Sequence, residues 1–154
     1  MAKAPAPFAK PSALERAFGS VLGFLLRLGV GPAHMRLLEV RGRKSGKLVS
    51  LPVDLLSRDG KLYLVAPRGH TQWVRNAEAG GAVVLRRGDR AQEYRLRALG
   101  DAEKPPILKA YLDAFKSEVQ RFFPLPAGSP VEKFVPLVTR YPAFELTPPP
   151  ASVS

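Results

Sequence analysis

The chain has no cysteine, which excludes disulfides, thiolate nucleophiles and thiolate-bound metals. Its two histidines, His34 and His70, are far apart and lack an i,i+4 partner, so the sequence predicts no metal site. No apolar run is long enough to cross a bilayer: the longest, residues 21–30, is broken by Arg27. Alternation of strands and helices in the β-α-β manner is also missing, which disfavours a Rossmann sheet. Acidic residues are scarce: 13 Asp and Glu stand against 24 Lys and Arg, a net charge of +11. Such a field draws polyanions, whether nucleic acid, anionic headgroups or a phosphorylated and carboxylated cofactor. Residues 1–11 contain lysines but no small-residue cleavage pattern follows them, so no secretory leader is evident and a cytoplasmic protein is expected.

What is present reads as one globular domain. A length of 154 residues, 45% of them apolar and 24% charged, suits a single core. The domain is expected over residues 12–147, between flexible tails at 1–11 and 148–154. Ser12 and Glu15 form a capping-box pattern at the start of a helix. Leu14, Ala17, Phe18, Val21, Leu22, Leu25 and Leu28 then recur at helical spacing, and Phe24 and Leu26 widen the apolar face. Core packing is the plain reading of this helix. The sharper one is peripheral membrane contact through the segment from Ala13 to Leu28, with Arg16 and Arg27 meeting lipid phosphates.

Short strands follow over residues 35–40 and 48–56. An Asp59-Gly60 turn leads into a return strand over 62–66. A helix is predicted over 72–79, stopped by Gly80 and Gly81. A second hairpin spans 82–86 and 91–99. A helix over 101–123, opened by Pro105 and Pro106, precedes a last strand over 143–146. The fold class is therefore α+β: a small antiparallel barrel with an N-terminal helix and flanking helices.

Residues 41–47, Arg-Gly-Arg-Lys-Ser-Gly-Lys, put four cations and two glycines into one turn between strands. Backbone amides and cations so placed can hold one anion, most simply a phosphate; the alternative is a solvated basic turn. Only three residues separate the glycines, so this is no P-loop. Arg86, Arg87, Arg90, Arg95 and Arg97 alternate along the second hairpin, but Tyr94 is the one aromatic among them. A solvated face is expected there, and no nucleic-acid partner.

Four pieces, in order, make the chain resemble the deazaflavin-dependent nitroreductase family, a branch of the split β-barrel flavin and deazaflavin oxidoreductases. They are Leu37-Leu38-Glu39-Val40-Arg41-Gly42-Arg43-Lys44-Ser45-Gly46-Lys47; then Leu51-Pro52-Val53 with Leu64-Val65-Ala66-Pro67-Arg68-Gly69; then Trp73 with Asn76; and finally Arg140-Tyr141-Pro142-Ala143-Phe144-Glu145-Leu146. The likeness covers residues 13–146. It departs from the family pattern in a short loop between Arg68 and Trp73, and in Leu48-Val49-Ser50 where many relatives carry an Arg.

The resemblance implies a split antiparallel barrel that binds coenzyme F420, a deazaflavin with a phosphate and a glutamate tail, with FMN as the alternative cofactor. It implies that Arg43, Lys44, Ser45, Gly46 and Lys47 hold the phosphate and that Leu51, Pro52, Ala66, Pro67 and Arg68 line the deazaflavin. Trp73 and Asn76 would sit beside the cofactor; as residues they read equally well as a core anchor and a loop brace. Tyr111 and Tyr141 are candidates, by position alone, for the family's catalytic tyrosines. The implied reaction is hydride transfer from reduced F420 to a quinone, nitroaromatic or enone. The implied rival is a non-catalytic lipid or flavin binding protein of the same fold. A homodimer is the family's common assembly.

Overall fold

The computed structural model describes residues 13–149, and of residues 13–18 only the backbone. The Ser12 cap, the Glu15 side chain and both outer tails, residues 1–11 and 150–154, lie outside the described residues. Helix α1 (Ala13–Arg27) precedes strands β1 (Met35–Arg41), β2 (Leu48–Asp54), β3 (Leu56–Arg58) and β4 (Lys61–Val65). Helix α2 (Gln72–Gly80), strands β5 (Ala82–Arg87) and β6 (Arg90–Ala98), and helices α3 (Lys104–Ala114) and α4 (Lys116–Val119) follow. Two 3₁₀ turns, Gln120–Phe122 and Val131–Leu137, lead to strand β7 (Ala143–Thr147).

The seven strands form one sheet in the order β2-β1-β5-β6-β7-β4-β3, and all pairings are antiparallel. Strands β2 and β3 lie at opposite edges, yet Leu55 alone separates them in the chain. Laid flat, seven strands at about 4.8 Å spacing would put those edges roughly 29 Å apart. One intervening residue spans only about 7 Å between flanking Cα atoms. The sheet must therefore curl until its edges meet, which is a split barrel. The single strand expected over 48–56 is corrected accordingly. At Leu55 the chain leaves one edge for the other, and the Leu55 amide bonds the His34 carbonyl at 2.9 Å instead of joining a ladder. Pro52 sits in β2, where an edge position tolerates its missing N–H.

The turns obey their residues. Asp59 and Gly60 both take positive φ, 52° and 76°, as a two-residue hairpin between Arg58 and Lys61 requires. The helix expected over 101–123 is broken. At Phe115 the backbone leaves helical angles, with φ −120° and ψ 29°, and its ring turns into the core, 6% exposed.

Two apolar clusters share the sheet as a wall. Leu38, Val40, Leu64, Ala66, Trp73, Val74, Phe144 and Leu146 belong to the first. Tyr63, Val65, Tyr111, Leu112, Phe123, Phe134, Tyr141 and Ala143 belong to the second, under α3 and α4. Strand periodicity divides them: along β4, Tyr63 and Val65 point one way and Leu64 the other.

Helix α1 packs outside the barrel wall. Leu26 is fully buried, and Gly23 lies so close to Leu37 that a Cβ there would meet its Cδ1 at 3.4 Å. The Gly88 amide caps the helix end on the Leu26 carbonyl at 2.8 Å. The outward residues Val21, Phe24 and Leu28 remain about 60% exposed. Among the described residues, no helix is long and apolar enough to cross a membrane.

The arginines of the second hairpin are not a simple solvated face. Arg86 pairs with the buried Glu39 at 3.2 Å. Arg87 donates to the carbonyls of Gly31, Pro32 and Met35, and Arg97 pairs with Glu103 and Glu145. These side chains fasten the connection before β1 and the start of α3 to the sheet.

Candidate functional site: the basic hairpin and helix α2

The β1–β2 connection is built by its own backbone. The Gly42 amide bonds the Lys47 carbonyl at 2.8 Å, and the Gly46 amide returns to the Gly42 carbonyl at 2.9 Å. Gly46 takes φ +72°, a conformation that glycine adopts without cost and other residues resist. Ser45 Oγ accepts from the Lys47 amide at 3.1 Å, and Arg41 Nη1 donates to the Gly46 carbonyl at 3.1 Å.

Helix α2 fastens this hairpin from below. Asn76, 6% exposed, accepts through Oδ1 from the Arg43 amide at 3.0 Å and from Arg43 Nη1 at 2.8 Å. Gln72 Oε1 takes the second proton of the same Nη1 at 3.0 Å. The Arg43 guanidinium is thereby aimed, with Nη1 fully spent and Nε and Nη2 left for another partner. Thus Asn76 is a loop brace, and the contact joins two of the sequence's candidate residues.

The tip amides of Lys44 and Ser45 have no partner among the described residues, and the Lys44 and Lys47 side chains are exposed beside them. Two free N–H groups and two ammoniums are a donor set for an anion. Thr71, at the start of α2, makes no side-chain cap bond, and its Oγ1 is buried without a partner among the described residues. Neither Thr71 nor Gln72 stood out in the sequence. An N-cap pattern, Thr71 before an apolar helix, was the one signal available for the first.

The remaining candidates are dispersed. Trp73 is a buried member of the inner cluster, its ring tilted against Phe144 at 6.3 Å. Ala66 is buried, and its amide bonds the Pro142 carbonyl at 2.8 Å. Pro67 and Arg68 are half-buried, and the Arg68 guanidinium lies 4.6 Å from the Phe122 ring. Leu51 packs against the inner cluster. With Pro52, Phe24, Leu37 and Ser50 it also borders a groove of about 430 Å³ between α1 and the β1–β2 pair.

Tyr111 and Tyr141 belong to the other cluster. Tyr111 is 2% exposed; burial, with the nearby charges of Asp54 and Glu118 adding to it, drives its hydroxyl well above the usual phenol range. Burial also raises Tyr141, partly offset by Arg140. The Tyr141 hydroxyl donates to the Phe122 carbonyl, and its ring stacks on Phe123 at 4.4 Å. Both hydroxyls are thus held protonated within the packing.

A curled antiparallel sheet whose edges meet, with a basic hairpin braced on a short helix, defines a split-barrel protein. Residues 13–120 match the family model described as F420H(2)-dependent quinone reductase. The chain belongs to that family. Solved structures agree on the fold. One is an F420-H2 dependent reductase (FDR-A), 23% identical with a TM-score of 0.53, over 77% of this chain and 97% of that one. Another, described as a domain-swapped dimer, is 21% identical with a TM-score of 0.54, over 88% of this chain and 100% of that one. The heme storage protein HutZ of Vibrio cholerae shares the fold at 11% identity and a TM-score of 0.54, over 77% of this chain and 83% of that one. None of the curated proteins matches the chain.

Proposed function

We propose that this protein is an F420H2-dependent reductase that passes a hydride to a quinone, with nitroaromatics and conjugated enones as further acceptors. The observation that carries the reading is the hairpin: two unpaired tip amides and two exposed lysines on a loop that Asn76 locks to α2. When bound, the reduced deazaflavin supplies the hydride. The protein's own part is to bind, orient and keep water away.

Lys44 and Lys47, with the amides of Lys44 and Ser45, would take the cofactor's phosphate. Arg43 would add Nε and Nη2, already aimed by Asn76 and Gln72. The amino-terminal end of α2, with Thr71 Oγ1, adds positive potential beside them. Ala66, Pro67 and Arg68 would border the deazaflavin, with Leu51 and Pro52 on the β2 side. Trp73 would act from beneath, holding α2 in place. We assign Tyr111 and Tyr141 to packing, so the proton that completes acceptor reduction comes from solvent. A homodimer is part of the proposal and is supported by the swapped dimer of the similar fold.

Titration with oxidised F420, and with FMN in parallel, tests the reading. F420 is expected to bind, and the pair R43A/K44A to weaken it. A charge-assisted hydrogen bond contributes about 1.5–3 kcal/mol, so each lost contact costs roughly ten- to a hundredfold in affinity. Selective FMN binding would replace the electron donor. Binding of neither would leave a non-catalytic lipid or flavin carrier as the better account.

A further inference from the structure

At the end of the β1–β2 pair remote from the basic hairpin, three chemistry-bearing side chains converge. His34 precedes β1, Asp54 ends β2 opposite Met35, and Glu118 comes from α4. Seven strand residues at about 3.3 Å each separate the cluster from the hairpin by roughly 20 Å. His34 Nε2 lies 3.1 Å from Asp54 Oδ1 and 3.1 Å from Glu118 Oε1. All three ligand atoms fall within 4.8 Å of one another.

Protein hydrogen bonds leave this cluster incomplete. His34 Nε2 stands between the two carboxylates, and a single N–H there can serve only one of them at a time. When the proton goes to Glu118, Asp54 Oδ1 stays buried with no hydrogen-bond partner among the described residues, on a side chain only 7% exposed. A buried, unsatisfied carboxylate oxygen is costly. Two carboxylates share the site, and their mutual repulsion calls for positive charge between them.

We propose that His34, Asp54 and Glu118 bind one divalent transition-metal ion, with Zn2+ the best match. Tetrahedral metal–ligand bonds of about 2.0–2.2 Å place neighbouring ligand atoms roughly 3.3–3.6 Å apart, so the two 3.1 Å histidine–carboxylate spacings need open by only a few tenths of an ångström around an ion. One imidazole and two carboxylates suit zinc or a similar borderline cation over magnesium, which prefers oxygen ligands alone. The ion would take the Nε2 lone pair and satisfy Asp54 Oδ1 at once. The ligands are pre-oriented. The His34 ring stacks on Phe115 at 4.7 Å, the His34 carbonyl is held by the Leu55 amide, and Glu118 Oε2 accepts from Ser117 at 3.1 Å. His34 and Glu118 keep a third of their side chains exposed, giving solvent and metal a way in. Bound there, the ion would tie α4 to the point where the chain crosses from β2 to β3.

The test uses the full chain, stripped with chelator and titrated with ZnCl2 by calorimetry, with thermal unfolding read alongside. One equivalent is expected to bind. A hundredfold excess over Kd should raise Tm by about 5–10 °C. E118Q and H34Q are expected to weaken binding at least about tenfold, the loss of one ligand bond. H70Q, at an exposed histidine outside the cluster, should bind as the parent does. Because Glu118 is partly exposed, E118Q keeps its fold and the test its force even where a change at buried Asp54 does not. No saturable zinc binding, equal binding by E118Q and the parent, or an equal response to Mg2+ would each overturn the site. Because F420 titration is a separate measurement on a remote end of β1 and β2, either result can stand without the other.

Discussion

Asn76 Oδ1 serves both the amide and the guanidinium of one arginine, so its loss is felt twice. N76A removes two part-buried hydrogen bonds to Arg43 and is expected to cost about 1–2 kcal/mol, read by urea denaturation. It should also weaken F420 binding, because the hairpin loses its anchor on α2. A variant with the stability loss but unchanged F420 affinity would detach the brace from cofactor binding. The basic hairpin itself was legible in the sequence because every contact that shapes it is local: Gly42, Ser45, Gly46 and Lys47 close the turn among themselves. The brace was only half legible, since Arg43 and Asn76 stand 33 residues apart and nothing in either segment names the other. The cluster around His34 was hidden for the same reason. Searching for paired histidines overlooks two carboxylates that only folding brings to one ring nitrogen.

Helix α1 is apolar on both sides, and this is why periodicity could place the helix but not orient it. Leu26 is the inward residue, and L26A should cost about 2–5 kcal/mol through the cavity it opens. Phe24 is 61% exposed, so F24D should leave stability within about 0.5 kcal/mol. If the outward face of Val21, Phe24 and Leu28 meets a membrane, F24D should abolish flotation of the protein with anionic vesicles, and the parent chain should float. Flotation by neither would remove the membrane reading. The two element boundaries that the sequence hid have a common physical origin. Leu55 and Phe115 are apolar residues with neither glycine nor proline beside them, so no breaker in the sequence marks the bend. At each, the break comes from tertiary demand: an edge that must be crossed, and a ring that must enter the second cluster.

At the scale of the molecule, closure depends on β7. It lies between β6 and β4, pairing Leu96 with Leu146 on one side and Leu64 with Phe144 on the other. Without it the sheet divides into a four-stranded part and the β3–β4 hairpin, joined only through Leu55 and the helical segments. A chain ending before Ala143 should therefore lose cooperative unfolding in a urea titration and collect in the insoluble fraction, as bare strand edges promote. A truncated chain that stayed soluble and unfolded in one step would show that the helices alone hold the two parts together. The overall class was readable because short strands, turn residues and two helices at opposite ends of the domain leave few arrangements. The strand order was not, because it is set by pairings between distant segments. That order also governs the chain's birth. The ribosome delivers six strands before the one that unites them, so a nascent chain that stops short of Ala143 could build only two open sheets with raw borders. The decisive pairing waits for the seventh strand, and a stall just ahead of Ala143 would hold the newborn chain at its most adhesive.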